Sequence, residues 1–378
     1  MEKSSSVPLV LAGDPLSHPD LLYATGFMAP DPIVYMQRGR RKVMVVSTLE
    51  WGRANQAAAG RGITVLSPPH LGLEGAQRRD ISAWIAAALA ARYNTRRLAV
   101  PDAFPHGLVC RLKKKRIAVA LLDGEPFPQR RIKSTHEIAC IRQSQRAAVI
   151  AMRAACSMIA EATVDRAGRL CGGTDVLTSE AVQRRIAESL LRQDCSGGET
   201  IVACGVQGAD PHERGHGPLH ANEPIVIDIF PRHQRHGYWG DITRTVVKGK
   251  PSRELRGMYA AVKEAQAAAL RTVRAGVSGS CVHQAAVKVF DRRGYKTQRR
   301  EDGFTGFIHS TGHGVGLAIH ESPSLGGANC RLREGEVVTV EPGLYYPEYG
   351  GVRIEDTIVV TRGGWHYLAP CEKRFVLP

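Results

Sequence analysis

Glu223-Pro224-Ile225-Val226-Ile227-Asp228, a polar loop, and then Gly240-Asp241-Ile242-Thr243 make one stretch of this chain. Gly335-Glu336-Val337-Val338-Thr339-Val340-Glu341, a loop, and then Arg353-Ile354-Glu355-Asp356-Thr357 make another. Each is an apolar strand ending on an acid, a turn region with glycine and tyrosine, and a returning strand that carries a second acid. The two acids are almost equally spaced in both stretches. Helical patterns at Ser252–Val273 and Ser280–Arg293 lie between them. Two similar halves, each a hairpin plus helices, predict a pseudo-symmetric α+β domain with its acids meeting at the centre.

A carboxylate on an apolar strand is expensive. An ionised acid buried without a partner costs several kcal/mol, so it pairs, protonates or binds a cation. Asp228, Asp241, Glu341 and Glu355 all occupy such positions. The segment Gly312-His313-Gly314-Val315-Gly316-Leu317 adds an imidazole between glycines, which allow close backbone approach. A lone histidine is more often a core or surface residue, but this context favours a ligand. One imidazole with four carboxylates is too rich in oxygen for a structural zinc site. The set suits Mn, Co or Fe, with Zn possible, and carries enough charge for two divalent ions.

Outward from this region, Thr135 to about Ala162 reads as a long helix, with Ser134 and Glu137 at capping-box spacing. A second helix is expected from about Asp175 to Gln193. The stretch Glu125-Pro126-Phe127-Pro128-Gln129-Arg130-Arg131 reads as a linker. Before it, strand-like segments (Val7–Ala12, Ile33–Met36, Val43–Ser47, Ile63–Leu66, Leu98–Val100, Ile117–Leu121) alternate with helical ones (Leu49–Gly60, Ile81–Arg92). These predict an α/β domain on a mixed sheet, with domains at 1–131 and 132–378.

The formal charge is +15, with basic runs at Lys113–Arg116, Gln129–Arg131 and Arg299-Arg300. No nucleic-acid motif or aromatic stacking pattern accompanies them, so a solvated basic surface without a specific nucleic-acid partner is expected. No apolar run reaches ~18 residues, which argues against a transmembrane helix. The short apolar stretch after Met1 lacks the features of a signal peptide. Nine cysteines, irregularly spaced and without C-x-x-C, fit reduced thiols in a cytoplasmic protein.

Residues 134–378 resemble the pita-bread metallopeptidase family, which contains Xaa-Pro dipeptidase (prolidase), aminopeptidase P and methionine aminopeptidase. The likeness rests on Lys133-Ser134-x-x-Glu137-Ile138-x-x-Ile141-Arg142, Asp228 with Asp241-Ile242-Thr243-Arg244-Thr245, and Gly312–Leu317 with His320-Glu321. Glu341-Pro342-Gly343 and Gly351-Val352-Arg353-Ile354-Glu355-Asp356 complete it. Leu22-Tyr23-Ala24-Thr25-Gly26-Phe27 resembles the creatinase-type N-terminal domain. Methionine aminopeptidases usually lack that domain, so the prolidase and aminopeptidase P branch is the better match.

The resemblance implies that Asp228 chelates one metal, Asp241 and Glu355 bridge both, and His313 and Glu341 complete the second. It implies active-site roles for His212 (in Pro211-His212), His309 and His320. His216 and His220 are expected at the surface. Arg353 is expected to orient Glu355 or meet the substrate, and Glu341 to relay a proton. The implied substrate is a peptide with proline second, and the implied assembly a homodimer. Gly-Val-Gly-Leu after His313 looks like compact prolidases, so an Xaa-Pro dipeptide is favoured over the longer peptides of aminopeptidase P. A creatinase-like amidinohydrolase and a non-catalytic binding protein are less consistent with a complete ligand set. The Asp228–Asp241 loop, with Phe230-Pro231-Arg232-His233, is longer than in typical prolidases.

Overall fold

Val10, Val34, Met36, Val43 and Val45 fall in one apolar cluster, and their neighbours Leu11, Ile33, Tyr35, Met44 and Val46 in another. Successive strand residues point to opposite faces, so this alternation describes a sheet covered on both sides. The computed structural model describes residues 7–73, 81–301, 303–327 and 330–378. Residues 1–6, part of the stretch read for a signal peptide, lie outside the described residues.

The chain divides into two compact units, 1–130 and 131–378. The first is built on a six-stranded sheet in the order Ile63–Leu66, Arg41–Val45, Ile33–Arg38, Leu9–Gly13, Arg97–Val100, Ala118–Leu121. The three central strands pair antiparallel and the outer ones parallel, which is the mixed sheet expected. Helix Ile81–Ala88 covers one face through Trp84 and Ile85, and Pro19–Thr25 and Trp51–Ala58 cover the other. The Leu22–Phe27 motif is a helix end: Gly26 sits at φ 63° and its N–H returns to the Leu22 carbonyl. Helix His106–Lys114 was not foreseen; its last turn holds Arg111, Lys113 and Lys114, cations placed favourably at a helix C-terminus. This gives the basic run a structural account.

In the second unit, helix Thr135–Glu161 starts with both halves of the capping box formed between Ser134 and Glu137. The next helix runs Ser179–Leu191 rather than from Asp175. Asp175–Val176 instead pairs with Leu170–Gly172, and Thr178 caps the helix by accepting from Ala181 N. These helices back the sheet Ile201–Cys204, Ile225–Ile229, Ile242–Lys248, Val376–Leu377. Helices Arg253–Thr272 and Gly279–Arg292 back a second sheet containing His313–Gly314, Val337–Val340 and Asp356–Val360. Two sheets, each with its own helix pair, make the expected pseudo-symmetric pita-bread arrangement. Between Glu341 and Glu355 the second half carries a further hairpin, Gly343–Tyr346 with Gly350–Arg353. The sheets meet where Glu355 N–H bonds the Thr243 carbonyl and Thr357 Oγ1 bonds the Asp241 carbonyl. Among the described residues no helix is long and apolar enough to cross a membrane.

Candidate metal centre

Ile225, Ile227 and Ile229 face the helix-backed core, so Asp228 on the same strand projects the other way. Ile242 and Val246 likewise turn Asp241, Thr243 and Thr245 outward. In the second half Val338 and Val340 face the core and turn out Thr339 and Glu341; Val352 and Ile354 do the same for Arg353 and Glu355. All these outward faces converge on one cavity of about 780 Å³, lined by Asp228, Asp241, His313, Glu341 and Glu355.

Ligand atoms of Asp241, His313 and Glu355 lie within 4.8 Å of one another. His313 Nε2 stands 3.6 Å from Asp241 Oδ2 and 3.3 Å from Glu341 Oε1. Its Nδ1 is 3.1 Å from the Gly314 carbonyl, which can only accept, so Nδ1 carries the hydrogen and Nε2 presents a lone pair. Burial holds the His313 ring below the usual histidine range, which keeps it neutral. The glycines around it are needed for space: a Cβ on Gly312 would lie 2.1 Å from the Thr339 carbonyl, and one on Gly314 2.5 Å from that of Ser322.

This cluster has too much negative charge to stand alone. Burial first, then Glu355, Asp228 and Glu341, pushes the Asp241 carboxyl well above the usual carboxylate range. Burial and then Glu341 and Asp228 raise Glu355, and burial pushes Glu341 up to about 7. Asp228 Oδ1 is buried with no hydrogen-bond partner among the described residues. An unpartnered oxygen, crowded acids and an imidazole lone pair aimed at them fit divalent cations, and Asp228, Asp241, His313, Glu341 and Glu355 would hold them.

The remaining candidates fall around this centre. Arg353 is 4% exposed, and its three nitrogens are engaged: Nε with Thr243 Oγ1, Nη1 with Tyr345 Oη (2.8 Å), Nη2 with Asp228 Oδ2 (2.7 Å). It reaches Glu355 only through Thr243, whose hydroxyl donates to Glu355 Oε2 at 2.7 Å. His309 Nδ1–H bonds the Ser310 carbonyl and Nε2 accepts from Tyr345 Oη, so both ring nitrogens are occupied. Burial and the adjacent Arg353 push His309 down to about 3. His212 and His320 line the cavity with exposed side chains, and the His320 ring meets His313 edge-on at 4.3 Å. His216 is exposed beside Glu213, and His220 is half-buried; neither lines the cavity.

Sequence reasoning passed over the residues that orient the ligands. Thr243 holds Glu355, Thr339 Oγ1 takes the His313 N–H, and Gln145 clamps the Asp241 backbone through both its N–H and its carbonyl. Thr243 and Thr339 were discoverable, because each lies two residues along a strand from an acid and shares its face. Gln145, on a distant helix, had no such signal. Thr243→Val keeps the shape and deletes the hydroxyl; metal affinity measured by titration calorimetry should fall about 10–100-fold. Unchanged affinity would show that Glu355 needs no orienting partner.

Comparison with known proteins gives the family and the fold. The model of metallopeptidase family M24 matches residues 139–362. An Xaa-Pro dipeptidase of Pyrococcus horikoshii is 32% identical over 290 residues, 74% of each chain. Among solved structures, an Xaa-Pro dipeptidase from Bacillus anthracis superposes with a TM-score of 0.82 at 24% identity, covering 98% of this chain and 95% of its own. The prolidase from Pyrococcus furiosus gives 0.79 at 26% identity, with 97% of both chains covered. A family match across more than half the sequence, on a shared fold, makes this chain a member of metallopeptidase family M24.

Proposed function

We propose that the protein is an Xaa-Pro dipeptidase, a hydrolase that releases proline from a dipeptide and holds two divalent ions per chain. The observation that carries the reading is the convergence of four strand-borne acids and a neutral histidine on one cavity. The names of the relatives support the substrate class. In this reading residues 132–378 form the catalytic domain and 1–131 the creatinase-like domain. Asp241 and Glu355 would be shared between the ions, Asp228 would hold one, and His313 with Glu341 would hold the other. Mn, Co or Fe suits the oxygen-rich set, and Zn is the alternative. When bound, such ions activate water and polarise a carbonyl. The proline bond is a tertiary amide with no N–H to recognise, so the site must work from the carbonyl side.

The chain's own groups divide the remaining work. His212 and His320, exposed in the cavity, are placed to donate to the carbonyl oxygen as it gains charge. Glu341 is placed to pass a proton to the leaving proline nitrogen. Arg353, engaged as it is, positions Asp228 and, through Thr243, Glu355. His309 holds Tyr345 against Arg353, and a substrate contact from His309 would replace one of its two bonds. Nine unpaired cysteines support a reducing, cytoplasmic setting, and the homodimer follows the family.

The test is hydrolysis of Xaa-Pro dipeptides, and of the same peptides extended at the C-terminus, after loading with Mn, Co or Zn. Higher kcat/KM on the dipeptide is expected. Faster cleavage of the extended peptide would replace this reading with an aminopeptidase P activity. No cleavage by the metal-loaded protein would favour a binding protein or an amidinohydrolase. The basic surface is expected to bind DNA only weakly and without sequence preference, the affinity falling steeply with salt as counterion release requires. Sequence-selective binding that persists at physiological ionic strength in a gel-shift assay would contradict this.

A further inference from the structure

Two arginines line the central cavity, and their states are opposite. Arg353 is buried, with its nitrogens held by Thr243, Tyr345 and Asp228. Arg214 is exposed, and its one side-chain bond among the described residues runs from Nη2 to the Gly198 carbonyl at 3.2 Å. No carboxylate of the described residues lies within ion-pair distance of it. Its backbone is nevertheless fixed, because its carbonyl accepts from Val202 N (2.9 Å) and Gln183 Nε2 (2.7 Å). The result is an available guanidinium on an anchored stem, two residues from His212 and in a cavity that Ile201 and Phe230 also line.

We infer that Arg214 binds the C-terminal carboxylate of the substrate and so sets the preference for a dipeptide; the inference rests on the Xaa-Pro dipeptidase reading. A dipeptide differs from a longer peptide at this end by one negative charge. The cavity is otherwise crowded with acids, Glu199 among them, so that charge is repelled unless a cation receives it. A guanidinium fork matches a carboxylate with two parallel hydrogen bonds. The bond to Gly198 uses one Nη2 hydrogen and leaves the other donors available. The pyrrolidine ring then has the apolar side chains Ile201 and Phe230 to pack on.

The experiment compares metal-loaded wild type, Arg214→Ala and Arg214→Lys on an Xaa-Pro dipeptide and its C-terminal amide, with thermal unfolding as the folding control. In Arg214→Ala the acid-over-amide ratio of kcat/KM should fall about 10–100-fold, through KM on the acid. Arg214→Lys should restore part of it, as a point charge without the fork. Calorimetric binding of proline against prolinamide gives a readout without turnover, and the wild-type preference for proline should vanish in Arg214→Ala. An unchanged acid-over-amide ratio, or an unchanged preference for proline, overturns the assignment. Cleavage of neither substrate by the wild type defeats the dipeptidase reading itself, and this inference with it.

Discussion

Glu355→Ala and Asp241→Ala should each lower kcat/KM on an Xaa-Pro substrate by on the order of 10³-fold or more while leaving the fold intact. Both side chains are buried beside His313, with ligand atoms of all three within 4.8 Å. Each supplies charge that other groups in the cavity cannot replace. The fold survives because the backbone around each is held independently of the carboxylate. Asp241 keeps its main-chain bonds to Gln145 and Thr357, and Glu355 N–H keeps its bond to Thr243. In the metal-free protein either change also removes one member of a crowded set of acids, so the unfolding temperature should hold or rise. Activity, metal content by elemental analysis and thermal unfolding together make the test. A Glu355→Ala protein that is active with full metal content would remove the bridging assignment.

Stripping the metal should lower thermal stability at neutral pH and make it pH-dependent. A ligand that binds the folded state at a thousandfold excess over Kd contributes about 4 kcal/mol. For a domain of this size that is on the order of 10 °C in Tm. The direction with pH follows from the carboxyls. Asp241, Glu341 and Glu355 are held above the usual range, chiefly by burial, so the folded state binds their protons more tightly than the unfolded chain does. Their stabilising effect is fully present below the unfolded carboxylate range near pH ~4 and is lost as pH rises through the folded values, Glu341 at about 7. Metal-free protein should therefore weaken between mildly acid and neutral pH, and saturating Mn should flatten the slope. Scanning calorimetry across that range, with and without chelator, decides it; a metal-free protein equally stable at both ends would mean that the acids are not charge-crowded.

Much of the fold can be read in the chain because its cause is local. Strand alternation, the Ser134–Glu137 capping box and the apolar runs ending on acids all express one- to four-residue periodicities. Helix Ser179–Leu191 shows the limit: Asp175–Val176 continues a helical pattern, but pairing with Leu170–Gly172 takes those residues into a strand. The same division holds in the site. Asp228, Asp241, Glu341 and Glu355 stand out in sequence because an acid on an apolar strand demands a counter-charge wherever the strand goes. Gln145 against Asp241 and Tyr345 between His309 and Arg353 are ordinary residues until packing brings distant segments together. Whether an arginine is engaged or available is likewise invisible in a string of letters. Arg353 lies on a strand facing the acids and is held by Asp228, Thr243 and Tyr345, whereas Arg214 forms no ion pair among the described residues. The sequence by itself determined which groups must be neutralised. The tertiary structure decided which groups orient them and which cation is left for a substrate, because hydrogen-bond partners are allotted only when segments far apart in the chain close on one cavity.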